Sequence, residues 1–288
     1  TDPQILDASP NAGALARSID TGDTRKAIYR ARIPVIEIRT LGGLQVLRQG
    51  SHPIRAREWR GSRPALLFKA ILVHGGRHIP KDILIEALWP DRHPDKSLQN
   101  FKVTLHRLRK LLEPNLNPAL GSAYIHLKDN LVSLDQHLCE VDTVAFHRLC
   151  RQVRRPDPGL GAPALMEICR KALALYQGDF LPEEPYLPWA EMKRTTLREE
   201  FIQLLYRLGE RLRDENEFGA ARRCYRRIIR TDSTQEKAQR RLMRLLAQAG
   251  RAQEALRQYR EFRTFIETEI GAAPETATVQ LYQSIRNL

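Results

Sequence analysis

From Pro34 onward the apolar positions fall first into short alternating runs and then into longer runs of helical period. Val35 to Arg39 alternates, Gly42-Gly43 turns, Leu44 to Arg48 alternates again, and Gln49-Gly50 closes a hairpin pattern. A further short strand is expected over Ile54 to Arg57. Ser62 then stands where it can cap a helix carrying Pro64, Leu67, Phe68, Ile71 and Leu72, ending at Gly75-Gly76. Pro80 suits a first helical turn, Ile83, Leu84, Ala87 and Leu88 form the apolar side of a short second helix, and Trp89-Pro90 stops it. A third helix is expected from near Asp95 to about Glu113, with Pro114 behind it. Tyr124 to Lys128 and Leu131 to Leu134 alternate on either side of Asp129-Asn130, the pattern of a second hairpin.

Strands, three helices and a hairpin, in that order, are the order of a winged helix-turn-helix preceded by a small sheet, in which the third helix enters a major groove and the hairpin is the wing. From about Val141 the periodicity is almost wholly helical, and it repeats. An offset of 34 residues aligns Leu208 with Leu242, Leu212 with Leu246, Ala221 with Ala255 and Tyr225 with Tyr259. That is the tetratricopeptide period, in which small residues sit at close helix contacts; a generic amphipathic bundle is the alternative. The expected fold class is mainly α: a winged helix-turn-helix domain (α+β) over 34–137, then an all-α, tetratricopeptide-like repeat domain over 138–288. Residues 1–33 read as a linker or the tail of an upstream region, and a start without Met suggests a cut inside a longer protein.

Charge sharpens this division. The 288-residue chain has a formal net charge of +13, which favours a polyanionic partner. The excess is concentrated in 34–137, with 16 Lys/Arg against 9 Asp/Glu, whereas 138–288 has 26 against 21. Cys139, Cys150, Cys169 and Cys224 form no CxxC pair, and no run approaches a membrane span, so a cytoplasmic, nucleoid-associated location and no membrane partner are expected. A phosphate-binding GxxxxGK[ST], a GxSxG elbow and an HExxH helix are all absent, so no enzyme and no cofactor are expected. His137, Cys139, His147 and Cys150 are zinc-ligand types lying close in sequence, but without a recognised spacing; no metal is assigned.

On the third helix a wheel gathers Leu98, Phe101, Leu105, Leu108 and Leu112 into the buried stripe. The opposite side carries Lys96, Gln99, Asn100, Val103, His106, Arg107 and Lys110, flanked by Lys102, Thr104 and Arg109, with no acid between Lys96 and Lys110. Gln and Asn pair with adenine, Arg with guanine, Val touches a thymine methyl, and Lys meets phosphate. A solvated helix face is also rich in such residues but normally mixes both signs. Arg55, Arg57, Arg60 and Arg63 gather before the first helix, while Arg77, Lys81, Lys128 and Asn130 lie at element ends, where backbone phosphates are commonly met. Trp59, Phe68 and Trp89 fall at core positions, so few aromatics are left to stack on splayed bases and duplex DNA is the expected partner. The competing expectation is a protein scaffold in which Arg222-Arg223 and Arg226-Arg227 dock an acidic partner.

These features coincide with a family resemblance running from about Ile36 to Leu288. It rests on Ile38-Arg39-Thr40-Leu41-Gly42, on His78 to Pro90, on Leu105 to Leu112, on Val141-Asp142 with Phe146, on Tyr176 to Leu181, on Pro188-Trp189 and on Gly250 to Leu256. The chain resembles activators of the Streptomyces antibiotic regulatory protein type, in which an OmpR-like winged helix precedes a bacterial transcriptional activator domain. The resemblance implies direct-repeat promoter sites, recruitment of RNA polymerase and a tetratricopeptide-like surface for partners or a homodimer. It also implies a loop facing polymerase between the second and third helices, here including Asp91, Arg92 and His93. The residues before the winged helix resemble the arrangement in large MalT-like regulators.

Overall fold

The short alternating runs become strands and the longer periodic ones helices. The computed structural model describes residues 33–48, 54 and 61–288. The expectations for residues 1–32, for Arg55, Arg57, Trp59 and Arg60, and for most of the strand at Ile54 lie outside the described residues. The described strands are β1 (Ile36–Arg39), β2 (Gln45–Arg48), β3 (Ile79–Pro80), β4 (Ile125–Lys128), β5 (Leu131–Leu134) and β6 (Cys139–Val141), in two sheets of order β2-β1-β6 and β3-β5-β4. The chain divides into two compact units. One is Val46–Glu140 with the described residues before Ile38; the other is Ile38–Gln45 with Val141–Leu288.

In the first unit, α1 (Arg63–Val73) starts where Ser62, in extended conformation, accepts a hydrogen bond from the Ala65 amide at 3.3 Å. It ends in Gly75-Gly76, both left-handed, and a Cβ on Gly76 would lie 3.0 Å from Leu134 Cδ1, so glycine is required twice over at that position. Pro80 belongs to β3 rather than to a helical turn: it pairs with Leu131, and α2 (Lys81–Leu88) begins after it. α3 runs Pro94–Leu112. The hairpin turns through Asp129 and Asn130 at φ 50° and 63°, the left-handed pair of a two-residue type I′ loop. Leu67, Phe68, Ile71, Leu84, Phe101, Leu105 and Leu108 form the core between the helices, and Ile125 and Val132 are buried from the sheet side.

The second unit contains α4 (Asp142–Arg154), α5 (Ala162–Leu175), α6 (Pro188–Asp214), α7 (Phe218–Thr231), α8 (Glu236–Gln248), α9 (Ala252–Phe265) and α10 (Thr276–Arg286). α6 pairs with α7, and α8 with α9. α6 and α8 end at Asp214 and Gln248, and α7 and α9 begin at Phe218 and Ala252, each pair 34 residues apart as the sequence spacing required. Ala221 and Ala255 are fully buried and Tyr225 and Tyr259 lie beside them in the core, so the repeat is one of packing and not only of composition. None of the described helices is long and apolar enough to cross a membrane.

Candidate nucleic-acid interface

α3 separates its residues by face. Phe101, Leu105, Leu108 and Leu112 point into the core, joined by Ser97 and Thr104, which the wheel had left outside, while Leu98 is only half-buried. Lys96, Gln99, Lys102, Val103, His106, Arg107 and Lys110 are exposed, and Asn100 is half-buried. Val103, at 41 % exposure, is the apolar member of this face. None of the polar side chains of this face has a hydrogen-bond or ion-pair partner among the described residues.

Other side chains hold the helix in place, and sequence reasoning missed most of them. Ser97 Oγ donates to the Arg92 and His93 carbonyls, fixing the turn that enters α3. At the far end Arg48 reaches from β2 to donate to the Leu111 and Leu112 carbonyls at 2.9 and 3.3 Å, placing a cation at the negative end of the helix dipole. Glu113, buried beyond the helix, accepts from the Ala123 amide. Arg109 turns inward and donates to the Ile125 carbonyl, tying α3 to the hairpin; burial pulls its guanidinium pKa down. A basic residue bonded to a single carbonyl leaves no periodic trace in sequence, so these roles were not legible there.

The remaining expected contacts are dispersed. Arg63 is exposed, yet it donates to the Leu88 carbonyl at 3.1 Å and so caps α2. Arg77 is exposed on the loop before β3, and Lys81 is half-buried, its backbone amide bonded to Asn130 at the hairpin tip. Lys128, Asp129 and Asn130 project at that tip, with Leu127 39 % exposed next to them. Asp91, Arg92 and His93 are exposed on the loop between α2 and α3. Phe68 and Trp89 are buried, as their positions required.

The second unit has a polar centre of the opposite kind. The buried Asp142 carboxylate, at the start of α4, accepts from Thr40 N and Oγ1 at 2.6 Å each, from Leu41 N at 2.8 Å and from Thr143 N at 2.7 Å. Residues 38–45, expected in the first domain, therefore fold with the helices. Gly42 donates to the Asp179 carbonyl and Leu181 to that of Thr40; Gly42 is left-handed at φ 102°, and a Cβ there would come within 3.1 Å of Gln177. Asp179 is itself held by Tyr176 Oη at 2.9 Å and by both nitrogens of an Arg198 fork, which keep its carboxyl below the usual range against the effect of burial. Lys193 lies 5.4 Å from the centroid of the Phe180 ring; burial pulls its amine down to about 8, opposed by Asp142.

The scaffold alternative fares unevenly, since Arg227 bonds the Tyr176 carbonyl and lies 4.7 Å from the Phe201 ring, whereas Arg222, Arg223 and Arg226 have no hydrogen-bond or ion-pair partner among the described residues and Arg226 feels the charge of Glu254. Among the described residues no group of three or more His, Cys, Asp or Glu could hold a metal. Of the zinc-type residues, His147 pairs with Glu200, and Cys150 is buried with its thiol pushed up to about 12.

Thr40-Leu41-Gly42, Val141-Asp142 and Tyr176 to Leu181 are thus one assembly at the head of a helical repeat. Residues 141–286 match the bacterial transcriptional activator domain. The chain belongs to that family. Beyond the bacterial transcriptional activator domain itself, the chain is 26 % identical over 221 residues to the regulatory protein AfsR of Streptomyces coelicolor, covering 76 % of this chain and 21 % of that one. It is 28 % identical over 244 residues to the regulatory protein AfsR of Streptomyces griseus, covering 81 % and 24 %. It therefore spans less than a quarter of the length of these relatives. Among solved structures it shares its fold with Mycobacterium tuberculosis EmbR in complex with a low-affinity phosphopeptide: the TM-score is 0.64 at 18 % identity, over 88 % of this chain and 65 % of that chain. These comparisons place the bacterial transcriptional activator domain of this chain among transcription regulators.

Proposed function

We propose that the chain is the DNA-binding and activating part of a larger transcriptional activator, with an OmpR-like winged helix-turn-helix over 34–137. α3 lies in the major groove of a duplex. Gln99, Asn100, Val103, His106 and Arg107 meet base edges, Lys96, Lys102 and Lys110 meet phosphates, and Lys128 and Asn130 bring the hairpin to the minor groove or its phosphates. Arg77 and Lys81 add backbone contacts, as does Arg63 with whatever part of its fork Leu88 leaves free. The loop of Asp91, Arg92 and His93 faces RNA polymerase, and the helical unit provides the surface through which copies assemble on direct-repeat promoter sites.

One observation carries this reading: from Lys96 to Lys110 the outer face of α3 has no acid, and its basic and amide groups have no hydrogen-bond or ion-pair partner among the described residues; Asp95, in the first turn, is the one exposed acid of the helix. Solvated helix faces ordinarily pair their charges along the helix, as Arg211 does with Glu215 and Arg263 with Glu267 elsewhere in this chain. Selection from random duplex DNA at two salt concentrations tests it, because phosphate contacts make affinity fall with salt while base contacts set the enriched sequence. An enriched direct repeat is expected. Salt-sensitive binding without any enriched sequence would leave a charged but non-reading surface and overturn the proposal.

A further inference from the structure

Two cavities of the helical unit share a wall. One of about 220 Å³ lies along α4 and α6, and one of about 530 Å³ opens between α5, α6 and α8; Val153, Gln203 and Arg207 line both. Leu165, Met166 and Tyr206 supply apolar wall in the larger one.

The charges along this cleft are mostly engaged. Arg154 pairs with Glu200 at 3.2 Å, Arg241 with Glu210 at 2.9 Å and Arg211 with Glu215 at 2.6 Å. Arg207 and Glu199 are the exceptions: both are exposed and neither has a hydrogen-bond or ion-pair partner among the described residues, but Glu199 lines only the smaller cavity, whereas Arg207 lines both. Lys237, on the rim of the larger cavity, meets the Tyr206 ring at 5.1 Å and pairs with no carboxylate among the described residues. A partner that covered Arg207 without offering it an acceptor would bury an unpaired charge, which strongly disfavours such a partner. A carboxylate satisfies the planar guanidinium fork bidentately, so the cleft discriminates by charge as well as by shape.

We propose that this cleft docks a segment of a partner protein in which an Asp or Glu is flanked by aliphatic or aromatic side chains. Arg207 takes the carboxylate, Lys237 adds a second attraction, and the neighbouring apolar side chains fill the space against Leu165, Met166 and Val153. This docking does not depend on the DNA-binding reading and is measured without DNA.

The probe is a random-peptide phage library selected on the intact chain, with enriched peptides then synthesised and measured by fluorescence anisotropy. Enrichment of acidic residues between apolar ones is expected. Arg207→Glu should weaken the best peptide by about tenfold or more, Lys237→Glu by a smaller factor, and Arg223→Glu, on α7, should leave it unchanged. Because Arg207 is exposed, its variants should melt with the parent protein; Arg207→Gln, which keeps the size and removes the charge, is the second variant should the reversal perturb folding. Failure to enrich any peptide, enrichment of basic peptides, or equal binding by both Arg207 variants would each overturn the proposal.

Discussion

The outer face of α3 and the polar centre around Asp142 use their polar groups in opposite ways. At Asp142 the polar groups turn in on one another: one carboxylate takes four hydrogen bonds, and Asp179 is gripped by Tyr176 and Arg198, with the buried Thr143 hydroxyl left unbonded beside them. On α3 the side chains of Lys96, Gln99, Lys102, His106, Arg107 and Lys110 face outward and have no hydrogen-bond or ion-pair partner among the described residues. A satisfied polar cluster is stabilising because each group was desolvated only into a partner's reach. An unsatisfied exposed face costs little while it is hydrated, and it remains available to an external partner. The contrast separates the polar residues that make the fold from those left over for binding, and it can be broken at either end.

The largest expected effect is at the satisfied end. Asp142→Ala leaves buried donors from Thr40, Leu41 and Thr143 without an acceptor, and should lower the stability of the helical unit by about 3–5 kcal/mol, read from urea denaturation. A loss under about 1 kcal/mol would mean that the cluster is ornamental, and the contrast would fail. At the unsatisfied end, Arg107→Ala should leave the melting temperature unchanged while weakening a selected site by about 1–3 kcal/mol relative to random DNA. Equal losses on both DNAs would remove Arg107 from base reading.

Two smaller effects sharpen the division. Arg48→Ala removes both bonds to the last carbonyls of α3 and should cost about 1–2 kcal/mol of stability, weakening all DNA alike, since it supports the helix without touching a base. Lys110→Ala should leave stability unchanged and reduce the slope of log affinity against log salt by about 1, as expected for a single phosphate contact. The last effect is a pH dependence, at Lys193. Its folded amine titrates near 8 against an ordinary 10.5, so between those values the unfolded chain binds more protons and this group's contribution to stability rises with pH. Compared with Lys193→Met, the wild-type chain should gain stability from pH 8 to pH 10.5; a constant difference would show that burial does not perturb the amine.

Much of this was legible in the sequence. The division of α3 into Phe101, Leu105 and Leu108 on one side and Gln99, His106 and Arg107 on the other follows from a period of 3.6 residues, and the hairpin from Asp129-Asn130 between two alternating runs. Where the wheel erred it was by one flank: Thr104 is buried, and Arg109 turns in to the Ile125 carbonyl. Small polar residues tolerate either side of a helix boundary, so the apolar pattern cannot place them. Arg63, counted with the cations before α1, is partly engaged by Leu88, which net charge could not reveal.

The sequence by itself determined the local periods and the spacing between like elements: the strands, the recognition-type helix with its two faces, and the 34-residue repeat that returns Ala221 as Ala255 and Tyr225 as Tyr259. Each of these is a pattern repeated over several residues, and repetition is what a single sequence can display. Only the tertiary structure decided that Thr40 and Leu41 belong with Asp142, about a hundred residues away, that Arg48 closes the end of α3, and that Arg207 is left open where the other arginines of its cleft are paired. Those are single polar partnerships across long separations. Their energy depends on two groups meeting in a desolvated place, and nothing in the residues between them records that meeting.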